Sequence, residues 1–227
     1  MLPPAFTQTL TFPRMCQCPE QPTALLREQC EQVGAVRYGQ SANYSYVPNP
    51  RMESTFMAVA MDLADVRPSW LDIHPRDKLS VGTRLALGAR ATAYGEDVYW
   101  TGPLVANATA AGDGGVRITF THTGSSGLAL KHGVGFEVLL QDFGVDDSGG
   151  SGANGWTQAP IVSHTANSVL VKANGGGSVA QVRYNFYQNP CMPTAGERLC
   201  AIYADGLPAP PFVMPVATST SSYEYQV

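Results

Sequence analysis

The chain has 227 residues, of which 44% are hydrophobic and 14% are charged. This composition can bury a core, which excludes a wholly disordered chain. The formal net charge of -4 has the wrong sign for a nucleic-acid-binding protein. No run of about 18 apolar residues occurs, so we predict no membrane span. Residues 1–15 lack the basic and apolar pattern of a signal peptide.

Charge and glycine usage change along the chain near Gly95. Residues 1–95 carry nine basic and eight acidic residues and five of the glycines, whereas residues 96–227 carry five basic and ten acidic residues and the other eighteen glycines. We therefore predict a domain boundary there. Residues 1–95 form one unit with an irregular N-terminal segment, and residues 96–227 form a second, β-rich unit.

Two elements are predicted before Asp62 in the N-terminal unit. Leu26, Cys30 and Val33 have helical spacing within residues 23–34, and Gly34 would end that helix. The apolar run Phe56 to Met61 is typical of a strand buried on both faces, as in a parallel sheet covered by helices.

A second helix is predicted to begin at Pro75, directly after His74, and to stop at Gly95. Val81, Leu85, Gly88, Ala89 and Thr92 form its predicted inward stripe, with Arg84 and Arg90 turned towards water. Strand, loop and helix in this order predict the last unit of an α/β sheet, whose ligand site would lie between Asp62 and His74.

Short alternating segments dominate after Val98. They are separated by Gly, Asn and Asp clusters, and they lie at Val98–Trp100, Val116–Phe120, Phe136–Leu140, Ser168–Lys172 and Val182–Phe186. Short strands joined by such turns predict a β-sandwich-like module.

The stretch from Val47 to Pro103, which includes IHPRDK and LGARATAYGE, resembles the C-terminal half of sialate O-acetylesterases, as does LPAPPF at Leu207 to Phe212. These are SGNH-type serine esterases. The resemblance implies the C-terminal part of an SGNH-like parallel-sheet α/β domain followed by the β-rich module. It also implies hydrolysis of O-acetyl esters of sialic acids or sialoglycans, without a cofactor, by serine and histidine catalysis.

Carried over by the resemblance, the general base is His74, and Asp72 would orient its ring. Such a histidine takes the proton of the serine and returns it to the leaving alcohol. Asp72 lies two residues before the histidine, where these enzymes commonly place the acid three before, and a structural role at a helix start is the alternative. For His74 the alternative is a helix-capping or loop histidine.

The nucleophile segment is not found before His74. The family's Gly-x-Ser-Asn motif is approached only by Gly39 to Asn43, where Ala42 intervenes and no buried strand precedes Ser41. We therefore expect a chain that is inactive alone and needs a complementary N-terminal catalytic half. The alternative is a non-catalytic fragment whose β module binds glycans or proteins.

Further residues follow from the family context. The resemblance places the protein in a lysosome or outside the cell, where Cys191 and Cys200 would form a disulfide. Asn43 and Asn107 begin glycosylation sequons. Arg51 or Arg76 would hold the substrate carboxylate, although surface pairing is the alternative for both. We predict no metal site, because the histidines and cysteines lack ligand spacing.

Overall fold

The computed structural model describes residues 33–64, 76–141, 155–186, 190–191 and 199–218. Residues 33–40 are helical (α1), and a short 3-10 helix covers Met61–Leu63. A 17-residue helix covers Lys78–Tyr94 (α2). In the described residues, no helix combines the length and apolarity that a membrane span requires.

Gly34, predicted to end a helix over residues 23–34, instead lies inside the helix at residues 33–40, and residues 23–32 lie outside the described residues. Gly34 has a different role, because a Cβ placed on it would overlap the backbone carbonyl oxygen and the ring of Phe186. The glycine therefore allows α1 to approach the end of a strand in the β-rich part of the chain.

We predict that Gly34→Ala destabilises the fold by about 1–3 kcal/mol, because the clash involves backbone that cannot move aside easily. Gly82→Ala is the matched control, since that helical glycine has open space around it. Gly82→Ala should stabilise the protein by about 0.5–1 kcal/mol. Urea unfolding measures both. Equal effects of the two substitutions would contradict the packing role of Gly34.

Helix α2 begins at Lys78, three residues after the predicted start at Pro75. Asp77 caps it, because its carboxylate accepts hydrogen bonds from the backbone N–H of Ser80 at 2.9 Å and from the hydroxyl of Ser80 at 2.7 Å. The predicted stop at Gly95 is confirmed: Gly95 has φ 67° and donates its N–H to the carbonyl of Arg90.

The prediction of a strand at Phe56 to Met61 is wrong. Residues 55–60 have no regular secondary structure, and Met61 begins the 3-10 helix. A strand exists only through its hydrogen-bonded neighbour, and the described residues provide none for this segment. Its apolar side chains are half-buried, and Phe56 packs against Gly88 of α2.

The rest of the described chain is built from eleven strands. These are Leu104–Ala110 (β1), Gly115–Thr121 (β2), Ala129–Leu130 (β3), Phe136–Leu140 (β4), Trp156–Gln158 (β5), Ile161–His164 (β6), Ser168–Lys172 (β7), Val179–Tyr184 (β8), Ile202–Ala204 (β9), Leu207–Pro208 (β10) and Phe212–Pro215 (β11). The predicted segment Val98–Trp100 forms no strand.

The strands form two four-stranded sheets, in the orders β1-β2-β7-β6 and β11-β8-β4-β5, and a three-stranded sheet in the order β10-β9-β3. Neighbouring strands in all three are antiparallel. The described residues are thus mostly antiparallel sheet, as predicted for the β-rich part. They contain no parallel sheet of the kind predicted for an SGNH-like domain.

One core joins these sheets. In β2 the side chains of Val116, Ile118 and Phe120 are buried while Arg117 is exposed, which is the alternation of a strand with one face inward. Phe136 and Tyr184 of the second sheet enter the same core, with ring centroids 4.7 Å apart. The apolar area buried here is the main stabilising contribution of the fold.

Candidate functional site

The segment that carries Asp72 and His74 lies outside the described residues, which resume at Arg76. Its two flanks are described. The chain reaches the segment through the buried 3-10 helix Met61–Leu63 and leaves it into helix α2. The side chains that hold these two flanks therefore define the candidate site.

A buried ion pair joins the two flanks. Nη1 of Arg84 lies 2.6 Å from Oδ1 of Asp62, and Nη2 lies 2.8 Å from Oδ2, so the guanidinium binds both carboxylate oxygens. Arg84 also donates to the carbonyl of Val59. The side chains of Arg84 and Asp62 are 12% and 7% exposed. The prediction that Arg84 points to water is therefore wrong, because Asp62 draws it inward.

Tyr203 of β9 extends this pair into the β-rich part. Its hydroxyl donates to Oδ2 of Asp62 at 3.0 Å and accepts the backbone N–H of Cys200 at 3.1 Å. Burial raises the pKa of Tyr203, and the negative charge of Asp62 raises it further. Asp62, Arg84 and Tyr203, here called the polar triad, thus connect the 3-10 helix, α2 and β9.

Cys191 and Cys200 are joined by a disulfide beside the polar triad, with an S–S distance of 1.93 Å. Both cysteines are fully buried and cluster with Met61 and Tyr203. The amide nitrogen of Asn185 lies 3.5 Å from Sγ of Cys191. The disulfide therefore belongs to the same packed region that holds the 3-10 helix.

Ser41, the serine of the Gly39 to Asn43 segment, is 3% exposed. Its hydroxyl donates to the carbonyl of Tyr38 at 2.7 Å and accepts the N–H of Ser45 at 2.8 Å. Asn49 donates its amide to the carbonyl of Ser41 at 2.9 Å. These contacts are those of a residue that holds a turn, and they leave the hydroxyl no access to a substrate.

The remaining candidate residues are spread over the surface. Asn43 is exposed at the turn after α1, and Asn107 is half-buried in β1, so both sequons stay predictions. Arg51 donates from Nη1 to the carbonyl of Ala42 at 2.7 Å, and Arg76 is exposed. The structure does not bring these arginines together with the polar triad.

The histidines of the β-rich part do not form a catalytic or metal cluster with one another. His132 contacts the carbonyl of Leu199 through Nε2 at 2.8 Å and accepts the N–H of Val134 at Nδ1, while His164 is exposed. Burial lowers the pKa of His122. No group of three or more His, Cys, Asp or Glu side chains suited to a metal ion occurs in the described ranges.

Sequence reasoning noted Asp62 but missed Arg84 and Tyr203 as its partners. Asp62 and Tyr203 are 141 residues apart, and no local pattern links them. A charged residue that closes an apolar run was the available signal. It indicates that a buried carboxylate needs a cation, without saying which one.

Comparisons with known proteins identify the class. A carbohydrate acetylesterase from Xanthomonas citri has a similar structure, with a TM-score of 0.57 and 27% sequence identity over 84% of this chain and 36% of that one. The chain therefore resembles part of a carbohydrate esterase.

The particular family is given by sequence. Residues 107–216 match the model of the sialate O-acetylesterase C-terminal domain. The sialate O-acetylesterases of Mus musculus and Homo sapiens are each 34% identical to this chain, over 80% and 78% of it. The chain thus corresponds to a C-terminal portion of that family, and it spans about a third of the length of these relatives, 32% of each.

We predict that Arg84→Gln destabilises the protein by about 3–5 kcal/mol, because it leaves the Asp62 carboxylate buried without its cation. Arg90→Gln is the matched control on the same helix, since Arg90 pairs with Glu96 at the surface. That change should cost at most about 1 kcal/mol. The free energy of unfolding in urea measures both, and equal losses would contradict the role of Arg84.

We predict that Tyr203→Phe costs about 1–2 kcal/mol near neutral pH, because the N–H of Cys200 and Asp62 each lose a partner. The raised pKa means that the folded protein keeps the Tyr203 proton above pH about 10, where the unfolded chain releases it. Stability therefore falls as the pH rises past about 10. The variant should lose less stability than the parent between pH 9 and pH 11, and parallel losses would refute this.

Proposed function

We propose that this chain takes part in the hydrolysis of O-acetyl esters of sialic acids, and that it supplies the general base. The observation that carries the proposal is the 34% identity to sialate O-acetylesterases over about 80% of the chain. A match of that extent includes residues 72–74 wherever it begins. The proposed base, His74, is therefore within the region shared with enzymes of this name.

In the proposed reaction, His74 accepts the proton of a serine hydroxyl as the oxygen attacks the acetyl carbonyl. It then donates the proton to the sugar oxygen as the ester bond breaks, and water releases the acetyl group in a second step. An imidazole with an ordinary pKa of about 6.5 suits both transfers, because its neutral form accepts the proton and the resulting imidazolium donates it. Asp72 would orient the ring.

The serine would come from the family portion that this chain does not span. The Ser41 hydroxyl is buried and occupied by two backbone groups, so it does not compete for this role. A lysosomal or extracellular location fits the proposal, since the Cys191 and Cys200 pair is stable in an oxidising compartment.

A second candidate function is a non-catalytic module that binds glycans or proteins. It is favoured by one observation: the family-model match covers residues 107–216, a range that excludes His74 and whose described helices and strands are all antiparallel strands. Under this alternative, neither His74 nor Asp72 would matter to the activity of any complex that contains the chain.

We predict that the purified chain does not hydrolyse 4-nitrophenyl acetate or 9-O-acetylated sialic acid. Mixed or co-expressed with the preceding portion of a sialate O-acetylesterase, it should restore hydrolysis. His74→Ala should then lower the rate by about 10²–10⁴-fold. His164→Ala, an exposed histidine in β6, is the control and should leave the rate unchanged.

Activity of the chain alone would contradict the need for a second portion. Restored activity that is insensitive to His74→Ala would overturn the assignment of the base and favour the non-catalytic alternative.

A further inference from the structure

Helix α2 has an exposed apolar face directed away from the other described residues. The residues that the structure leaves exposed between Leu79 and Tyr94 are, in order, Leu79, Gly82, Thr83, Ala86, Arg90, Ala93 and Tyr94, here called the outer face. At 3.6 residues per turn they fall within an arc of about 120°. Leu79 is 81% exposed and Tyr94 is 74% exposed.

The outer face has the composition of a packing surface. Its single charged residue, Arg90, pairs with Glu96 at 2.7 Å. Large side chains stand at the two ends, and apart from Arg90 the residues between them are small, which lets another backbone approach closely. The spacing i, i+3, i+4, i+7 in Leu79, Gly82, Thr83 and Ala86 is that of a stripe facing a core.

The opposite face of α2 is already occupied. Gly88 is buried against Phe56, where an added Cβ would lie 2.7 Å from the ring, and Arg84 is held by Asp62. A helix that is apolar on both faces is typical of the interior of a larger body. Exposed apolar patches on soluble proteins mark interaction sites.

A second incomplete feature lies beside this helix. Residues 55–60 are an apolar, half-buried segment that has no strand partner among the described residues. A second copy of this chain is the alternative occupant of the outer face, and the test below distinguishes it. Polypeptide that contains further strands and helices can cover both.

We propose that the outer face of α2 packs against the portion of a sialate O-acetylesterase that this chain does not span. The chain covers 32% of the mouse relative, so about two thirds of that protein is available to cover the face. This inference rests on the proposed function, since it names the surface through which the catalytic portion would be joined.

The test uses the full chain and, as the probe, the mouse sialate O-acetylesterase truncated before its matched region. Association is measured by sedimentation velocity and by a titration. The parent chain should form a one-to-one complex, and Ala86→Glu should weaken it by about tenfold or more, because a charge would be buried in an apolar contact. Ala111→Glu, at an exposed position after β1, is the matched control and should bind like the parent.

Three outcomes would overturn the inference: no complex with the probe, a complex indifferent to Ala86→Glu, or a homodimer of the chain that Ala86→Glu disrupts. Circular dichroism of each variant checks that it is folded. Both variants should fold, because both alanines are exposed. A complex that Ala86→Glu breaks, but that does not hydrolyse acetyl esters, would support the outer face as the docking surface and refute the proposed function. Hydrolysis by the chain without any partner would refute both.

Discussion

The arrangement of the described chain depends on the buried contact between Asp62 and Arg84. Removing two charges from water costs several kcal/mol per ion, so the pair persists only because the geometry is bidentate and Tyr203 adds a further donor. This requirement fixes three elements relative to each other. The 3-10 helix and α2 cannot move apart without leaving a charge unpaired, and β9 cannot leave them without removing the Tyr203 hydrogen bond from Asp62.

A second buried ion pair in the β-rich part likewise joins two elements through closely placed opposite charges. Glu137 and Arg183 lie opposite each other on β4 and β8, with Nε and Oε2 2.8 Å apart, and both are nearly fully buried. The guanidinium lies over the ring of Trp156, 4.4 Å from its centroid. One face of the Trp156 ring is thereby engaged in cation–π packing.

Sequence patterns predicted what depends on local spacing. The strands Phe136–Leu140 and Ser168–Lys172 have the predicted bounds, and Gly95 ends α2, because alternation and a left-handed glycine are properties of a few neighbouring residues. The direction of Arg84 and the role of Gly34 were not predictable, because each is set by a residue distant in the sequence, Asp62 and Phe186.

The apolar run Phe56 to Met61 was misassigned for a related reason. Apolar composition indicates burial, but a strand also needs a hydrogen-bonding neighbour, which the composition of the run cannot supply. The same reasoning applies to α2, whose sequence is apolar on two faces while the described chain covers one. The chain spans 32% of the mouse relative, and the proposed docking of the outer face would cover this second apolar face. Among the described residues, the mismatch between apolar pattern and burial is concentrated in residues 55–60 and the outer face of α2.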